Sequence, residues 1–159
     1  MRSRFATLVV LMISCMVGGF AYGQTSTETA KSKFDPELAR MVGADDHGMR
    51  SYVLVVLKTG PNKMPAGKER DEMFKGHFAN INRLAAERKL VLAGPFDGVD
   101  GWRGLFILAA ADIEEAKGYV AADPVIINGE MFAEYHKYYG SAALMLVNEA
   151  HGKLVKKSF

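Results

Sequence analysis

Four histidines and one cysteine are the side chains best suited to acid–base, metal or nucleophilic chemistry in this sequence. His77 stands out by position. Phe74, Phe78, Ile81, Leu84 and Ala85 are spaced i, i+4, i+7, i+10 and i+11, one stripe of a helix, and His77 falls inside that stripe. An imidazole has an unperturbed pKa of about 6.5, which suits proton transfer near neutral pH. The same position also suits a core histidine satisfied by one hydrogen bond, and spacing does not separate the two readings. His47 lies in a polar loop and reads as solvated. Glu134, His136 and Tyr138 share one strand face by period two, as a pocket lining or as the polar face of an edge strand. Neither HxxxH nor HExxH occurs, so no metal is expected. The phosphate-loop pattern GxxxxGK[ST] is also missing, and no cofactor is expected.

Other residues could complete a site around His77. Arg70, at the start of the same helix, could neutralise an acidic substrate or simply be solvated. Gly94-Pro95-Phe96 closes the strand that follows. It reads as a turn, or as a pocket wall with Phe96 stacking on a ligand. Trp102 and Arg103 sit in the next turn, where stacking is possible. Asp97 and Asp100 read as turn residues, and Lys63 and Lys68 as loop cations.

The elements that must position these residues follow in order. Ser51 to Lys58 is an almost continuous apolar run, as in a strand buried on both faces. Glu69 to about Arg88 is the long helix. Leu90 to Phe96 and Gly104 to Ala110 are two strands joined by a short Gly-containing turn, an antiparallel hairpin. Asp112 with Glu115 has capping-box spacing and opens a second helix, which Asp123-Pro124 ends. Val125 to Asn128 reads as extended, and Met131 to Tyr139 as the fourth strand. Ser141 to about Glu149 reads as a last helix, followed by a basic tail. The order β-α-β-β-α-β predicts an α+β, ferredoxin-like fold: a four-stranded antiparallel sheet with two helices on one face. The other face must be buried too, which predicts a homodimer packed sheet to sheet.

The ends differ from this middle. Residues 1–23 read as a signal peptide: Arg2 and Arg4, an apolar run, then Ala21-Tyr22-Gly23 before a cleavage at Gln24. An uncleaved anchor is the alternative, although Phe5–Tyr22 is short and contains Thr7, Ser14, Gly18 and Gly19. Residues 24–49 read as a polar tether with a short helix after Asp35-Pro36. The domain proper is 50–140, and 141–159 is the terminal helix and tail. Cleavage would remove Cys15, the single cysteine, leaving no thiol and no disulfide. It would also leave 18 Lys+Arg against 18 Asp+Glu, which gives no electrostatic case for nucleic acid. The implied compartment is the periplasm, with no membrane partner after cleavage.

The pieces Tyr52–Leu57, GHFANINRLAAERK, LVLAGPF, RGLFILAA, EEAKGYVAADP and EYHKYYG together resemble the YCII-related domain family, over roughly residues 50–140. The resemblance implies a dimeric α+β barrel. It also implies a His and an Asp side by side in a pocket, at His77 and Asp123, and for some members dehydrochlorination or related lyase chemistry on small molecules. The expected function is a cofactor-independent lyase or isomerase in which His77 moves a proton and Asp123 orients it. The alternative is a non-catalytic dimeric module that binds a small ligand or serves structure. In that case Asp123 is a helix-end residue bonding nearby amides.

Overall fold

A computed structural model describes residues 33–157. The readings of 1–23, of Cys15 and of the tether up to residue 32 fall outside these residues, as do the last two residues of the tail.

β1 (Met49–Thr59) is the central element. It pairs antiparallel with β3 (Trp102–Leu108) on one side and β4 (Met131–Ser141) on the other, and β2 (Leu90–Pro95) pairs with β3. The sheet order is therefore β2-β3-β1-β4, as a ferredoxin-like fold requires. Alternation along β1 divides the molecule. Val53, Val55 and Leu57 join Phe106, Leu108 and Met131 beneath Met73 and Leu84 of α2 (Lys68–Ala86) and Ala116 and Val120 of α3 (Ile113–Val120). Each fully buried Val or Leu here contributes roughly 1.5–3 kcal/mol. The shared core places both helices on one sheet face.

On the other face Tyr52, Leu54 and Val56 of β1 lie in register with Tyr138, His136 and Glu134 of β4. Leu54 and Val56 are opposite Ile107 and Leu105 of β3. The C-terminal segment covers part of this face. Tyr52 donates to the Ser141 carbonyl at 3.0 Å, and Asn148 in α5 (Val147–Gly152) donates to Leu90 O at 2.6 Å. The segment before α5, Ala142–Leu146, is a 3-10 helix, so the single terminal helix expected from the sequence is two.

Helix starts follow their caps. α1 (Pro36–Val42) has Asp35 accepting from Glu37 and Leu38 N–H, and Asp112 accepts from Glu115 N–H while Glu115 accepts from Ala111 N–H. One segment departs from the sequence reading. Residues 125–128 are not extended, because Pro124–Ile127 forms α4, a single helical turn. Asp123 caps it and Pro124 occupies its first turn, which outweighs the strand preference of a Val-Ile-Ile run.

Glu130 is the second buried carboxylate of the fold. It roots β4 and fixes the loop after β1, with Met64 N–H at 2.7 Å, Arg70 at 2.9 Å and Arg103 at 3.8 Å. Burial pushes its carboxyl up, but the Met64 and Arg70 bonds and the two guanidiniums outweigh this and hold it below the ordinary range. A carboxylate lowered by folding adds stability that is present above its unfolded pKa and lost as pH falls through its folded one. Urea unfolding of the wild type and Glu130→Gln should therefore differ at pH 7, with the gap closing as the pH falls below the ordinary carboxylate range. A gap that does not change with pH would show that Glu130 acts by shape alone.

Candidate active site

α2 buries most of the stripe its apolar residues suggest: Leu84 is buried, Phe74 and Ile81 pack against the core, and only Phe78 is turned out, 41% exposed. The fully buried positions are Met73, His77, Asn80 and Leu84. Two polar residues are drawn into the interface because a carboxylate is waiting there. Asp123 has no exposed surface. His77 Nδ1 lies 2.9 and 2.8 Å from its two oxygens, Asn80 Nδ2 donates to Oδ2 at 3.2 Å, and Val125 N–H donates to Oδ1 at 3.1 Å. Asp123 therefore caps α4 and holds the imidazole at once; the two roles that the sequence left as alternatives coexist.

Gly76 makes this meeting possible. A Cβ built on Gly76 would stand 2.8 Å from Pro124 Cγ, closer than carbon atoms pack. Only a glycine lets α2 approach the first turn of α4 closely enough for the His77–Asp123 bonds.

An ionised Asp123 carboxylate only accepts, so it takes its bond from Nδ1–H, and in the neutral ring this leaves the lone pair on Nε2. Phe106 stacks on the ring at 6.0 Å and Phe74 meets it edge-on at 6.1 Å, with Phe78 at 5.5 Å. Among the described residues Nε2 has no hydrogen-bond partner. It is not sealed either, since the one fully sealed side-chain nitrogen or oxygen without a partner there is Arg50 Nε. Asn80 Oδ1 in turn accepts from Arg83 at 2.8 Å, which extends the chain to the helix surface. A shallow pocket of about 450 Å³ lies along the outer side of α2; Phe74 and Phe78 line it, His77 and Asp123 do not.

A family comparison now bears on this pair. The YCII-related domain matches residues 51–136, more than half of the sequence. The chain belongs to the YCII-related domain family. It is also 31% identical over 81 residues to the uncharacterised protein YjpA of Bacillus subtilis (strain 168), covering 51% of this chain and 85% of that protein. The family match spans His77, Asp123 and every strand except the outer ends of β1 and β4. α1, the C-terminal 3-10 helix and α5 lie outside it.

The other candidates are placed as follows. Arg70 bonds Glu130 and lays its guanidinium over Phe74, 4.6 Å from the ring centroid. Gly94 is half-buried and Pro95 exposed at the end of β2; Phe96 stands 5.4 Å from Trp102, while the rings against His77 are Phe74, Phe78 and Phe106. His47 and His136 are exposed, and His136 is paired with Leu54 on the sheet face away from the helices. Glu134 bonds Lys58 at 2.9 Å. Among the described residues no group of three or more His, Cys, Asp or Glu is placed to hold a metal. Sequence reasoning missed Asn80. Its signal was a polar residue three positions after His77, on the same helical face.

Gly76→Ala should cost about 1–3 kcal/mol in urea unfolding, as overpacking does. It should also free the His77 ring from its single tautomer in nitrogen-15 spectra, whereas the wild type should show protonated Nδ1 and unprotonated Nε2. A variant that keeps both wild-type stability and the wild-type tautomer would show that the close approach is not required.

Proposed function

We propose that this YCII-related protein is a cofactor-independent lyase or isomerase in which His77 is the general base. One observation carries the reading: Nδ1 is bound to a buried carboxylate while Nε2 has no partner among the described residues. In the proposed step Nε2 takes a proton from a carbon beside an electron-withdrawing group. If the neighbouring carbon bears a leaving group such as chloride, the C–H electron pair becomes the double bond and chloride leaves with its own pair. If none is present, the proton returns at another carbon and the product is an isomer. Asp123 stabilises the imidazolium that forms, and the amide of Asn80 and the Val125 N–H hold Asp123 in place.

The competing reading is a ligand-binding or structural module. Its support is the low exposure of the pair, 9% and 0% of the two side chains, and its position joining α2 to α4. A panel of small carbonyl and halogenated carbon acids in deuterium oxide, followed by NMR, separates the two. The wild type should wash deuterium into a substrate carbon, and His77→Gln should slow this by about 10²–10⁴-fold. Asp123→Asn should slow it too. Equal wash-in by His77→Gln would end the base assignment.

The proposal extends to assembly. The outer sheet face carries half-buried Leu54, Leu92, Leu105 and Ile107, with Trp102, Phe132 and Tyr138 each more than a third exposed. A largely apolar face of this kind, with Glu134 and His136 on its β4 edge, calls for a partner surface, and a second copy packed sheet to sheet supplies one. Sedimentation at micromolar concentration should give a dimer, and Ile107→Glu a monomer; a monomeric wild type would contradict this. Export to the periplasm with cleavage before Gln24 belongs to the same proposal. The intact mass of the mature protein tests it, with a chain starting at Gln24 expected.

A further inference from the structure

Glu130 gathers more positive charge than it can neutralise. Its side chain has no exposed surface, yet two arginines converge on it, Arg70 at 2.9 Å and Arg103 at 3.8 Å. One carboxylate against two guanidiniums leaves a net charge of +1, and each arginine keeps about a quarter of its side chain exposed, 26% and 24%. A guanidinium has five N–H donors in a fork that matches a carboxylate. Arg70 uses one nitrogen on Glu130, and Arg103, at 3.8 Å, makes an ion pair without a hydrogen bond. Donors remain on both. Glu69 and Asp71 flank Arg70 in sequence, and neither forms an ion pair with either arginine.

The position of the pair ties it to His77. Arg70 precedes His77 by seven residues, two turns along the same side of α2. Arg103 is the extra residue at the register shift of β3, and its ion pair with Glu130 puts it on the side of Arg70; Phe106, three residues on, is the ring stacked on the imidazole. The seam between α2 and β3 thus holds two levels, the arginine pair and the imidazole. Phe74 stands between them, 4.6 Å from the Arg70 guanidinium carbon and 6.1 Å from the imidazole centroid. Its ring offers a flat apolar surface from one level to the other.

We infer that Arg70 and Arg103, held together by Glu130, are the anion subsite of the His77 site, and that the substrate is a small planar organic acid. Its carboxylate binds the two guanidiniums, its apolar body lies along Phe74, and its acidic C–H reaches Nε2. This rests on the base assignment of His77 above. Glu130 is a positioning residue: it keeps two like charges side by side before the substrate arrives.

The test is a titration of the whole protein with benzoate and, separately, with its uncharged isostere benzamide. It is followed by the His77 ring signals and the Arg70 and Arg103 Nε–H signals. Benzoate should shift both sets saturably, and benzamide should bind at least about tenfold more weakly, since charge-assisted pairs are the strong ones. Arg103→Gln should weaken benzoate by about tenfold with the thermal midpoint and the His77 tautomer unchanged, and Arg103→Lys should restore part of the loss. Glu130→Gln should weaken benzoate and shift the Arg70 and Arg103 Nε–H signals before benzoate is added, because the carboxylate that holds the two guanidiniums together has gone. No saturable benzoate response, equal binding of benzamide, arginine shifts without a His77 shift, or full binding by Arg103→Gln would each overturn the subsite. The two readings fail separately. Benzoate binding retained by His77→Gln with no deuterium wash-in by the wild type sinks only the base assignment. Wash-in of uncharged compounds without benzoate binding sinks only the subsite.

Discussion

A carboxylate with no exposed surface has to be met by donors, and at Asp123 that requirement shapes the helical layer. An unpaired charge in a protein interior costs several kcal/mol or shifts to its neutral form. Here an imidazole N–H, a side-chain amide and a backbone N–H supply the bonds. Two of these come from α2, so the helix turns His77 and Asn80 inward and leaves Phe78 partly in solvent. Its inner face thus serves both the apolar core, through Met73 and Leu84, and the hydrogen-bonding demand of Asp123.

Glu130 acts in the same way near the start of the helix, while Asp123 acts at its middle. Glu130 binds Arg70, seven residues before His77, and the backbone of the loop that follows β1. α2 is thus held at two points by buried carboxylates from distant parts of the chain, over a core built on β1 and β3. The imidazole lies between Phe74 and Phe106 with Nδ1 on Asp123, and among the described residues Nε2 has no partner. Precise placement of this kind, more than any unusual residue, is what separates a general base from a buried histidine.

The sheet and the helices divide the work. Odd positions of β1 are sealed under α2 and α3, while even positions form a face that the C-terminal segment covers only in part. Any assembly through that face leaves the His77–Asp123 pair undisturbed, because it lies on the helix side of the sheet.

Much of the fold was legible in the residues themselves. Strand order, the hairpin at 97–103, the capping box at Asp112 and the long helix follow from periodicity, turn residues and caps, all of which act within a few positions. His77 was visible as a titratable ring in an apolar stripe, and its partner Asp123 through family resemblance. Less legible were the helical turn of α4, where the Asp123 cap and Pro124 outweigh the strand preference of Val-Ile-Ile, and the meeting of Asn80 with Asp123 and of Arg70 and Arg103 with Glu130. The second of these joins residues more than 20 positions apart. Local sequence determined which segments became helix and strand, because caps and periodicity are short-range. Only the tertiary structure decided which side chains faced each other, because that depends on where buried charges find their donors.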